Sequence, residues 1–236
     1  MKRAEVRERL LELIESLPPG DMIPSERQLS ERFGVSRPTL RAAMADLTRD
    51  DLLTRSHGRG TFTKLRKITQ ELAPVESGNF TVPPAEGDWR SRVVEFRTEP
   101  AGARLGRRMQ LSPSTELLGV VRVRIVDGAP MAIEKIRIPA ALVPGIEPAD
   151  FETGSLYQVL RMRYEVVATD AIQTTEPTVT DQGEAELLTV PVYSPALLFE
   201  RTTRDGAGRI IEYTRSIYRG DRYRITTHLT FDSNSG

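Results

Sequence analysis

The sequence predicts an α+β protein in which three helices and a β-hairpin precede a larger antiparallel sheet with helices. Two helix-start signals flank a glycine between residues 23 and 41, a pattern typical of two helices joined by a tight turn. From residue 118 onwards, apolar strands recur around turn residues such as Asp127 and Gly128, which indicates β-hairpins. Hairpins with occasional helices between them favour an antiparallel α+β domain.

Three helices are expected in the first 50 residues. The first is closed by residues 18–20, and its apolar stripe consists of Val6, Leu10, Leu13, Ile14 and Leu17. Ser25 is placed to cap the second helix, and Gln28, three residues on, completes a capping box. Gly34 suits the left-handed conformation that ends a helix, and Ser36 is placed to cap the third.

The third helix is basic at its start and apolar along one face. Its buried stripe is predicted to contain Leu40, Ala43, Met44 and Leu47. Arg37 and Arg41 lie four residues apart and so share a neighbouring flank. In a helix-turn-helix, the second helix lies in the DNA major groove with its first residues at the base edges. Arg37, Thr39 and Arg41 are therefore predicted to read DNA, the alternative being an ordinary helical hairpin with a solvated basic face.

A short hairpin is expected after the third helix. Residues 52–55 and 61–63 are predicted strands around a glycine-rich tip at residues 56–60. Two glycines let the backbone approach a DNA minor groove closely, and Arg59 between them is placed to enter it, because the negative potential there attracts arginine. In the simpler interpretation, His57 is a turn residue without a special role.

These motifs resemble the winged helix-turn-helix domain of the GntR family of bacterial transcription regulators. The resemblance spans residues 1 to about 64 and rests on Ile23-Pro-Ser-Glu-Arg27, Gly34-Val-Ser-Arg37, Thr39-x-Arg41 and Gly58-x-Gly60-Thr-Phe62. It implies contacts to phosphates or bases from the helix-turn-helix and a wing tip near the minor groove. The DNA-binding set is accordingly predicted to be Arg27, Ser36, Arg37, Pro38, Thr39, Arg41, His57, Gly58 and Arg59. Pro38 replaces the threonine or alanine that is more usual in the family, so a different operator preference is expected.

The charge distribution agrees with a DNA-binding first half. The 236-residue chain has a net charge of zero, but residues 1–67 hold 14 Lys and Arg against 10 Asp and Glu, and the remainder holds 19 against 23. Affinity for nucleic acid rests largely on phosphate neutralisation, so the excess of +4 lies where the motif lies.

Other compositional features narrow the function classes. The chain has no cysteine, which excludes disulfides, thiolate catalysis and cysteine-ligated zinc. No apolar run approaches the roughly 20 residues needed to cross a bilayer, and the first helix is amphipathic rather than a signal peptide. A cytoplasmic protein without a membrane partner, cofactor or metal is expected.

Two domains are predicted. Residues 1–66 form the winged domain, residues 67–88 a linker rich in proline, glycine and serine, and residues 89–234 the second domain. The expected strands of the second domain cover residues 118–126, 131–138, 165–175, 196–203, 210–218 and 223–231, and its expected helices follow Ser155 and span residues 181–188.

The second domain resembles the UTRA effector-sensing domain that follows the same DNA-binding domain in the HutC subfamily. The resemblance is carried by Arg122-Val-Arg124, Asp127-Gly-x-Pro130, Glu134, Pro139, Ser155-Leu-Tyr157, Arg201, Gly208, Glu212-Tyr213 and residues 218–223. It implies a fold similar to chorismate lyase and a homodimeric regulator that senses small metabolites, often phosphosugars. The implied effector pocket is lined by Arg122, Arg124, Glu134, Ser155, Tyr157, Glu212 and Tyr218.

The chemistry of these residues favours an anionic ligand. Two arginines on one strand can hold a phosphate or carboxylate, and Ser155 with the free N–H groups of its helix start forms a second anion cradle. Glu134 and Glu212 accept hydrogen bonds from hydroxyl or amine groups. Spacing alone also fits a cross-strand ion pair in which Arg124 faces Glu134. Residues 71–88 lack the serine- and threonine-rich stretch with which phosphosugar-binding relatives complete their anion site.

The sequence therefore predicts a repressor that binds a palindromic DNA operator as a homodimer and is controlled by a small anionic metabolite, sugar phosphates being one such class. The alternatives are an effector-free DNA-binding protein and an enzyme with a lyase-like second domain, in which Glu134 and Glu212 act as acid and base. No Ser-His-Asp set is suggested, and His228 stands alone among strand residues, so no catalytic residues are predicted.

Overall fold

A computed structural model of the chain describes residues 3–17, 20–50, 52–56, 58–64, 67–72, 87–152 and 155–229. The chain divides into two compact units, Met1–Arg66 and Lys67–Gly236. Most of the expected linker, over residues 73–86, lies outside the described residues.

The first unit contains three helices and one hairpin. Its elements are α1 (Arg3–Glu15), α2 (Glu26–Phe33), α3 (Arg37–Arg49), β1 (Leu53–Ser56) and β2 (Gly60–Thr63). Ser25 and Gln28 form the predicted capping box at the start of α2, and Gly34 ends that helix with a φ of 65°. β1 and β2 pair antiparallel, with Leu53 opposite Thr63. The helix-turn-helix and the wing are thus present as predicted.

One apolar core joins the three helices. It contains Val6, Leu10, Ile23, Leu29, Phe33, Leu40, Ala43, Met44, Leu47 and Leu53. Burying a large aliphatic side chain contributes about 1.5–3 kcal/mol, so this core fixes α3 against α1 and α2. The basic flank of α3 remains outside the core, because Arg37 and Arg41 are exposed.

The second unit is built on a six-stranded antiparallel sheet in the order β4-β5-β6-β9-β8-β7. Its strands are β4 (Trp89–Pro100), β5 (Glu116–Val126), β6 (Ala129–Pro139), β7 (Ala168–Val179), β8 (Pro195–Asp205) and β9 (Ile210–Arg219), and its helices are α4 (Gly102–Met109), α5 (Leu156–Tyr164) and α6 (Gln182–Leu188). Two short 3-10 helices cover Ala140–Leu142 and Pro148–Phe151. β4 and α4 were not anticipated from the sequence.

The central strands β5, β6 and β9 are buried along almost their whole length. One face packs under α5 and the 3-10 helices, where Phe151, Leu156 and Leu160 meet Ile136. Leu188 of α6 packs against Ile217 in a separate cluster. Because these strands are buried, polar side chains on them must find partners within the protein.

The last strand differs from the prediction that residues 223–231 close the sheet. β10 covers Tyr223–Thr227 and pairs in parallel with β3 (Ile68–Leu72), forming a separate two-stranded sheet. Residues 68–72 were expected to belong to the linker. They fold as a strand because Ile68 is buried against Val126 and Met131, and a parallel pair distant in sequence carries no turn signal that would announce it.

Candidate functional site

The start of α3 is organised by Ser36. Its side chain accepts a hydrogen bond from the backbone N–H of Thr39 at 3.4 Å, and the two hydroxyl oxygens lie 2.8 Å apart. Pro38 occupies the first turn, where its missing N–H leaves no partner unsatisfied. Arg37 and Pro38 are exposed, so the predicted reading residues stand at the surface of a fixed helix end.

Arg41 is held by a carboxylate of the preceding helix. Its Nε donates to Oε2 of Glu26 at 2.6 Å, while Nη2 of Arg55 on β1 donates to Oε1 at 2.6 Å. The hydrogen bond from Arg41 lowers the pKa of Glu26 against the opposing effect of burial, and the charge of Arg55 lowers it further. Arg41, Arg55 and Thr61 line one open cleft.

The other predicted DNA contacts are spread over the same unit. Arg27 is exposed, with its Nη1 4.0 Å from Oε1 of Glu31. Gly58 and Arg59 form the exposed turn of the wing, and Gly58 has a φ of 71°. The predicted contact His57 lies outside the described residues.

Six of the seven predicted effector residues line one cavity in the second unit. They are Arg122, Arg124, Glu134, Ser155, Tyr157 and Glu212, joined by Ile136, Leu156, Arg201 and Thr214. The cavity measures about 10 Å³, which is about the space of a single water molecule.

Tyr218, the seventh, lines an adjoining cavity of about 20 Å³. The two cavities share Glu134, Arg201 and Thr214. The remaining walls of the second cavity are Gln70, Gln173, Phe199, Ser216 and Tyr223. The predicted residues thus divide between two small compartments with a common polar wall.

Glu134 is paired with Arg122, not with Arg124 as the spacing suggested. Arg122 lies directly opposite Glu134, and its Nε donates to Oε2 at 2.7 Å. The turn pairs Val126 with Ala129, and a register shift between Arg124 and Ile125 then places Arg122 opposite Glu134. Burial raises the pKa of Glu134, but the charges of Arg122 and Arg124 outweigh it and lower the pKa to about 2.

Arg124 is a buried cation without a carboxylate of its own. The residue is 3% exposed, and its Nε is buried without a hydrogen-bond partner among the residues described. The guanidinium lies 5.1 Å from the centroid of the Trp89 ring. Burial lowers its pKa against the attraction of Glu134, yet arginine stays charged in proteins.

Glu212 is satisfied by hydroxyl groups. Tyr157 and Thr203 donate to its Oε2 at 2.6 Å and 2.7 Å, and Thr214 donates to Oε1. Arg201 Nη2 lies 3.5 Å from Oε1. Burial raises the pKa of Glu212, but Arg201 and the hydroxyl donors outweigh it, so the pKa is lower than usual.

Ser155 precedes α5 and faces the arginines across the first cavity. Its side chain makes no capping hydrogen bond to the helix. The N–H groups of the first turn of a helix lack intrahelical partners and favour a negative charge nearby. Ser155 and the arginines therefore bring hydrogen-bond donors to one small volume from two sides.

Comparison with known families finds two matches along the chain. Residues 2–63 match the bacterial regulatory proteins of the gntR family, and residues 85–224 match the UTRA domain. The chain belongs to the GntR family of regulators that carry a UTRA domain. The predicted family and α+β fold class are confirmed.

Several relatives of this GntR regulator are known. The HTH-type transcriptional repressor NagR of Bacillus subtilis is 31% identical over 213 residues, 90% of this chain and 87% of NagR. The mannosyl-D-glycerate transport/metabolism system repressor MngR of Escherichia coli is 30% identical over 89% of this chain and 87% of MngR. The crystal structure of PhnF from Mycobacterium smegmatis superposes with a TM-score of 0.66 at 28% identity, covering 95% of this chain and 99% of PhnF.

This GntR regulator is therefore a DNA-binding transcriptional regulator with an effector-sensing domain, as predicted. Its family consists of regulators rather than enzymes. Within the residues described, no helix combines the length and apolarity that a membrane span requires.

Sequence reasoning overlooked three polar residues at these sites. Arg201 and Thr214 line both cavities, and Arg55 shares Glu26 with Arg41. One signal was available for Thr214, because Glu212, Thr214, Ser216 and Tyr218 alternate along one strand and so share a face. Arg55 lies in the predicted first strand of the wing, where exposed arginines are ordinary.

Proposed function

We propose that this GntR regulator represses transcription by binding a palindromic operator as a homodimer, and that a small anionic metabolite in the UTRA cavity releases it. The observation on which the proposed ligand rests is Arg124, a buried guanidinium that makes no ion pair with a described carboxylate and whose Nε has no hydrogen-bond partner. An unpaired buried charge is costly. An anion that enters beside Arg124 removes that cost.

The surroundings of Arg124 support a phosphate or carboxylate group. Arg122 and Arg201 line the same cavity, and charge-assisted hydrogen bonds from arginine to such oxygens are strong and often bidentate. Ser155 and the start of α5 supply uncharged donors from the other side. Since Glu134 makes its ion pair with Arg122, Arg124 is the arginine of this strand that has no ion pair to break before it binds a ligand anion.

The remaining groups support a ligand that also carries hydroxyl groups. Glu134 and Glu212 are ionised acceptors, and Gln70, Gln173 and Ser216 line the adjoining compartment with three aromatic rings. Mannosyl-D-glycerate, which the name of MngR contains, is itself an anionic sugar. Sugar phosphates and sugar acids are therefore the ligand class that we propose.

The present cavities are too small for such a ligand. At about 10 Å³ and 20 Å³, each holds at most about one water molecule. Ligand entry thus requires the walls to separate, and a ligand that binds the opened arrangement selectively shifts the equilibrium towards it. The usual coupling is about 1–3 kcal/mol, or 5- to 150-fold in DNA affinity.

In this proposal residues 1–66 bind DNA and residues 89–234 bind the effector, with β3 added to the effector domain and the rest of 67–88 as the connection. The DNA contacts are Arg27, Ser36, Arg37, Pro38, Thr39, Arg41, His57, Gly58 and Arg59. In a homodimer, the two DNA-binding domains contact two half-sites. The centres of these half-sites are separated by one helical turn, roughly 34 Å, or by a multiple of that distance.

Calorimetry tests the proposed binding of a small anionic metabolite. The purified chain is titrated with a panel of sugar phosphates and sugar acids, with the matching neutral sugars and with inorganic phosphate. We expect heat and a raised melting temperature from one or more anionic sugars and none from their neutral counterparts. No response to any anionic sugar would overturn the proposed ligand class.

Selection of bound sequences from random DNA duplexes tests whether a homodimer binds a palindromic operator. A two-fold symmetric sequence that elutes as a complex with two chains supports the homodimer. Enrichment of a single asymmetric half-site, or of no sequence at all, would contradict it.

A further inference from the structure

Glu26 connects three elements of the winged domain. It is the first residue of α2, and its two carboxylate oxygens each accept one hydrogen bond, from Arg41 of α3 and from Arg55 of β1, both at 2.6 Å. The side chain of Glu26 is 22% exposed, whereas those of Arg41 and Arg55 are 66% and 64% exposed. The carboxylate thus lies beneath two guanidinium groups that reach the surface.

This arrangement orients the two arginines and leaves most of their hydrogen-bond donors available. Arg41 uses only its Nε, so both of its terminal nitrogens remain available, and Arg55 uses one N–H of Nη2. A guanidinium has five N–H donors. Each arginine therefore retains donors for a base edge or a phosphate while bound to Glu26.

Folding stability does not account for this contact, because exposed ion pairs contribute little to it. An ordering role is better supported. Long side chains lose conformational freedom when they are immobilised at an interface, and Glu26 immobilises two of them before DNA arrives. The recognition helix and the wing thereby present arginines at a fixed separation.

We propose that Glu26 is a specificity-determining positioning residue: it pre-orders Arg41 and Arg55 for the operator and opposes their attraction to phosphate on unrelated DNA. The inference rests on the proposed function, since it requires that this face meets DNA. A carboxylate near the interface repels the phosphate backbone at every sequence. Only a duplex that offers the correct partners to both arginines compensates for that repulsion.

The test compares Glu26→Gln with a matched control on the same helix, Glu31→Gln. Glu31 is exposed and lies 4.0 Å from Arg27, and both variants remove one negative charge from α2. Dissociation constants for the selected operator and for an unrelated duplex of equal length are measured over a series of salt concentrations.

For Glu26→Gln we expect binding to unrelated duplex to tighten by about 2- to 5-fold and binding to operator to weaken by about 5- to 10-fold. The ratio of the two affinities then falls at least about 10-fold. The salt dependence on unrelated DNA steepens by about 0.9 in logarithmic slope, as expected for one further phosphate contact. Glu31→Gln leaves the ratio within about 2-fold.

A merely structural role for Glu26 predicts something else. Both affinities would then fall together with the melting temperature, and the ratio would not move; that result overturns the inference. The double variant Glu26→Gln, Arg55→Gln provides a second check, because removal of Arg55 must diminish the effect of Glu26→Gln on the ratio. If the unaltered chain prefers no duplex at all, the proposed function fails and the role of Glu26 fails with it, whereas an unmoved ratio in a chain that does prefer its operator overturns the role of Glu26 alone.

Discussion

Arg122 and Glu134 lie directly opposite each other on β5 and β6 as a buried ion pair, with Nε and Oε2 2.7 Å apart. Arg122 Nη1 also donates to the carbonyl oxygen of Phe151 at 2.7 Å, and the Tyr218 hydroxyl donates to Glu134 at 3.1 Å. The pair therefore ties the sheet to the 3-10 helix above it. Glu134 thus makes its ion pair with Arg122 and not with Arg124, although the charge of Arg124 also lowers its pKa.

Removal of one partner of this pair is expected to be far more damaging than removal of both. Arg122→Met leaves a buried carboxylate without its principal partner and should lower the free energy of unfolding by about 3–5 kcal/mol. The double variant Arg122→Met, Glu134→Leu should recover most of that loss, because apolar residues often replace a buried ion pair without cost. Urea denaturation of the three chains measures both values, and a double variant as unstable as the single one would contradict the expectation.

Acid should destabilise the chain through Glu134. Its pKa is about 2 in the folded state, below the ordinary value of 4.5, so the folded state binds its proton less readily than the unfolded state. The stabilisation is complete above pH 4.5 and is lost as the pH falls towards 2. Its size is roughly 3 kcal/mol. In urea denaturation at pH 7 and pH 3, Glu134→Gln should show a smaller loss than the unaltered chain; an equal loss would assign the acid sensitivity to other carboxylates.

Arg124 should show opposite effects on stability and on regulation. Since it is a buried charge without a carboxylate partner among the described residues, Arg124→Met is expected to raise the melting temperature of the ligand-free chain. The same change should leave operator affinity unaltered and weaken release by the effector at least about 10-fold, because charge-assisted hydrogen bonds contribute about 1.5–3 kcal/mol. Arg90→Met is the control, since that exposed arginine of the neighbouring strand pairs with Asp88. A lowered melting temperature for Arg124→Met would show that the guanidinium has a structural partner.

The helix-turn-helix was predictable because each of its boundaries is marked by a local residue. Ser25, Gly34 and Ser36 occupy the cap positions that their side chains or conformational freedom favour. The hairpin of β5 and β6 has the same origin, since Asp127 and Gly128 adopt positive φ values of 50° and 76° at the turn. Short-range chemistry determines these features, so they can be inferred without knowledge of the remaining chain.

Long-range features were harder to predict. The pairing of β3 with β10 joins Ile68 to Tyr223, and no turn residue links such distant segments. The partner of Glu134 depends on the turn that pairs Val126 with Ala129 and on the register shift between Arg124 and Ile125, and strand patterning does not predict such a shift. The face shared by Arg122, Arg124 and Glu134 was nevertheless foreseeable, because strands alternate with a period of two.

Arg41 is expected to be essential for operator recognition. Arg41→Ala removes an exposed guanidinium from the first turns of α3 and should reduce specific binding by at least about 10-fold, since a bidentate base contact provides about 1–3 kcal/mol of discrimination. Arg49→Ala is the matched control, because Arg49 is equally exposed in the last turn of the same helix. Fluorescence anisotropy measures the affinity of both variants for the operator and for an unrelated duplex. Size-exclusion chromatography checks that the oligomeric state is unchanged. Unaltered operator affinity in Arg41→Ala would contradict the assignment of α3 as the recognition helix.

Gln70 is expected to couple the ligand cavity to the DNA-binding domain. Its Oε1 accepts a hydrogen bond from the Tyr223 hydroxyl at 2.9 Å, and both residues line the second cavity. Gln70 belongs to β3, which begins only two residues after the first unit ends, so a ligand that displaces Tyr223 acts on the strand leading to the DNA-binding domain. Gln70→Leu should leave operator affinity without effector within about 3-fold, whereas at saturating effector the drop in operator affinity should shrink from the usual 5- to 150-fold range towards none.

Thr69→Val is the control for Gln70→Leu, because Thr69 is adjacent on β3 but its hydroxyl instead accepts a hydrogen bond from Arg224 at 2.9 Å. Operator binding is measured with and without saturating effector, and effector binding is measured by calorimetry. Full release in Gln70→Leu, or an equal loss of release in both variants, would contradict a specific coupling role. Loss of release at saturating effector in Gln70→Leu alone, with operator affinity retained, would identify β3 as the element through which occupancy of the cavity affects the DNA-binding domain.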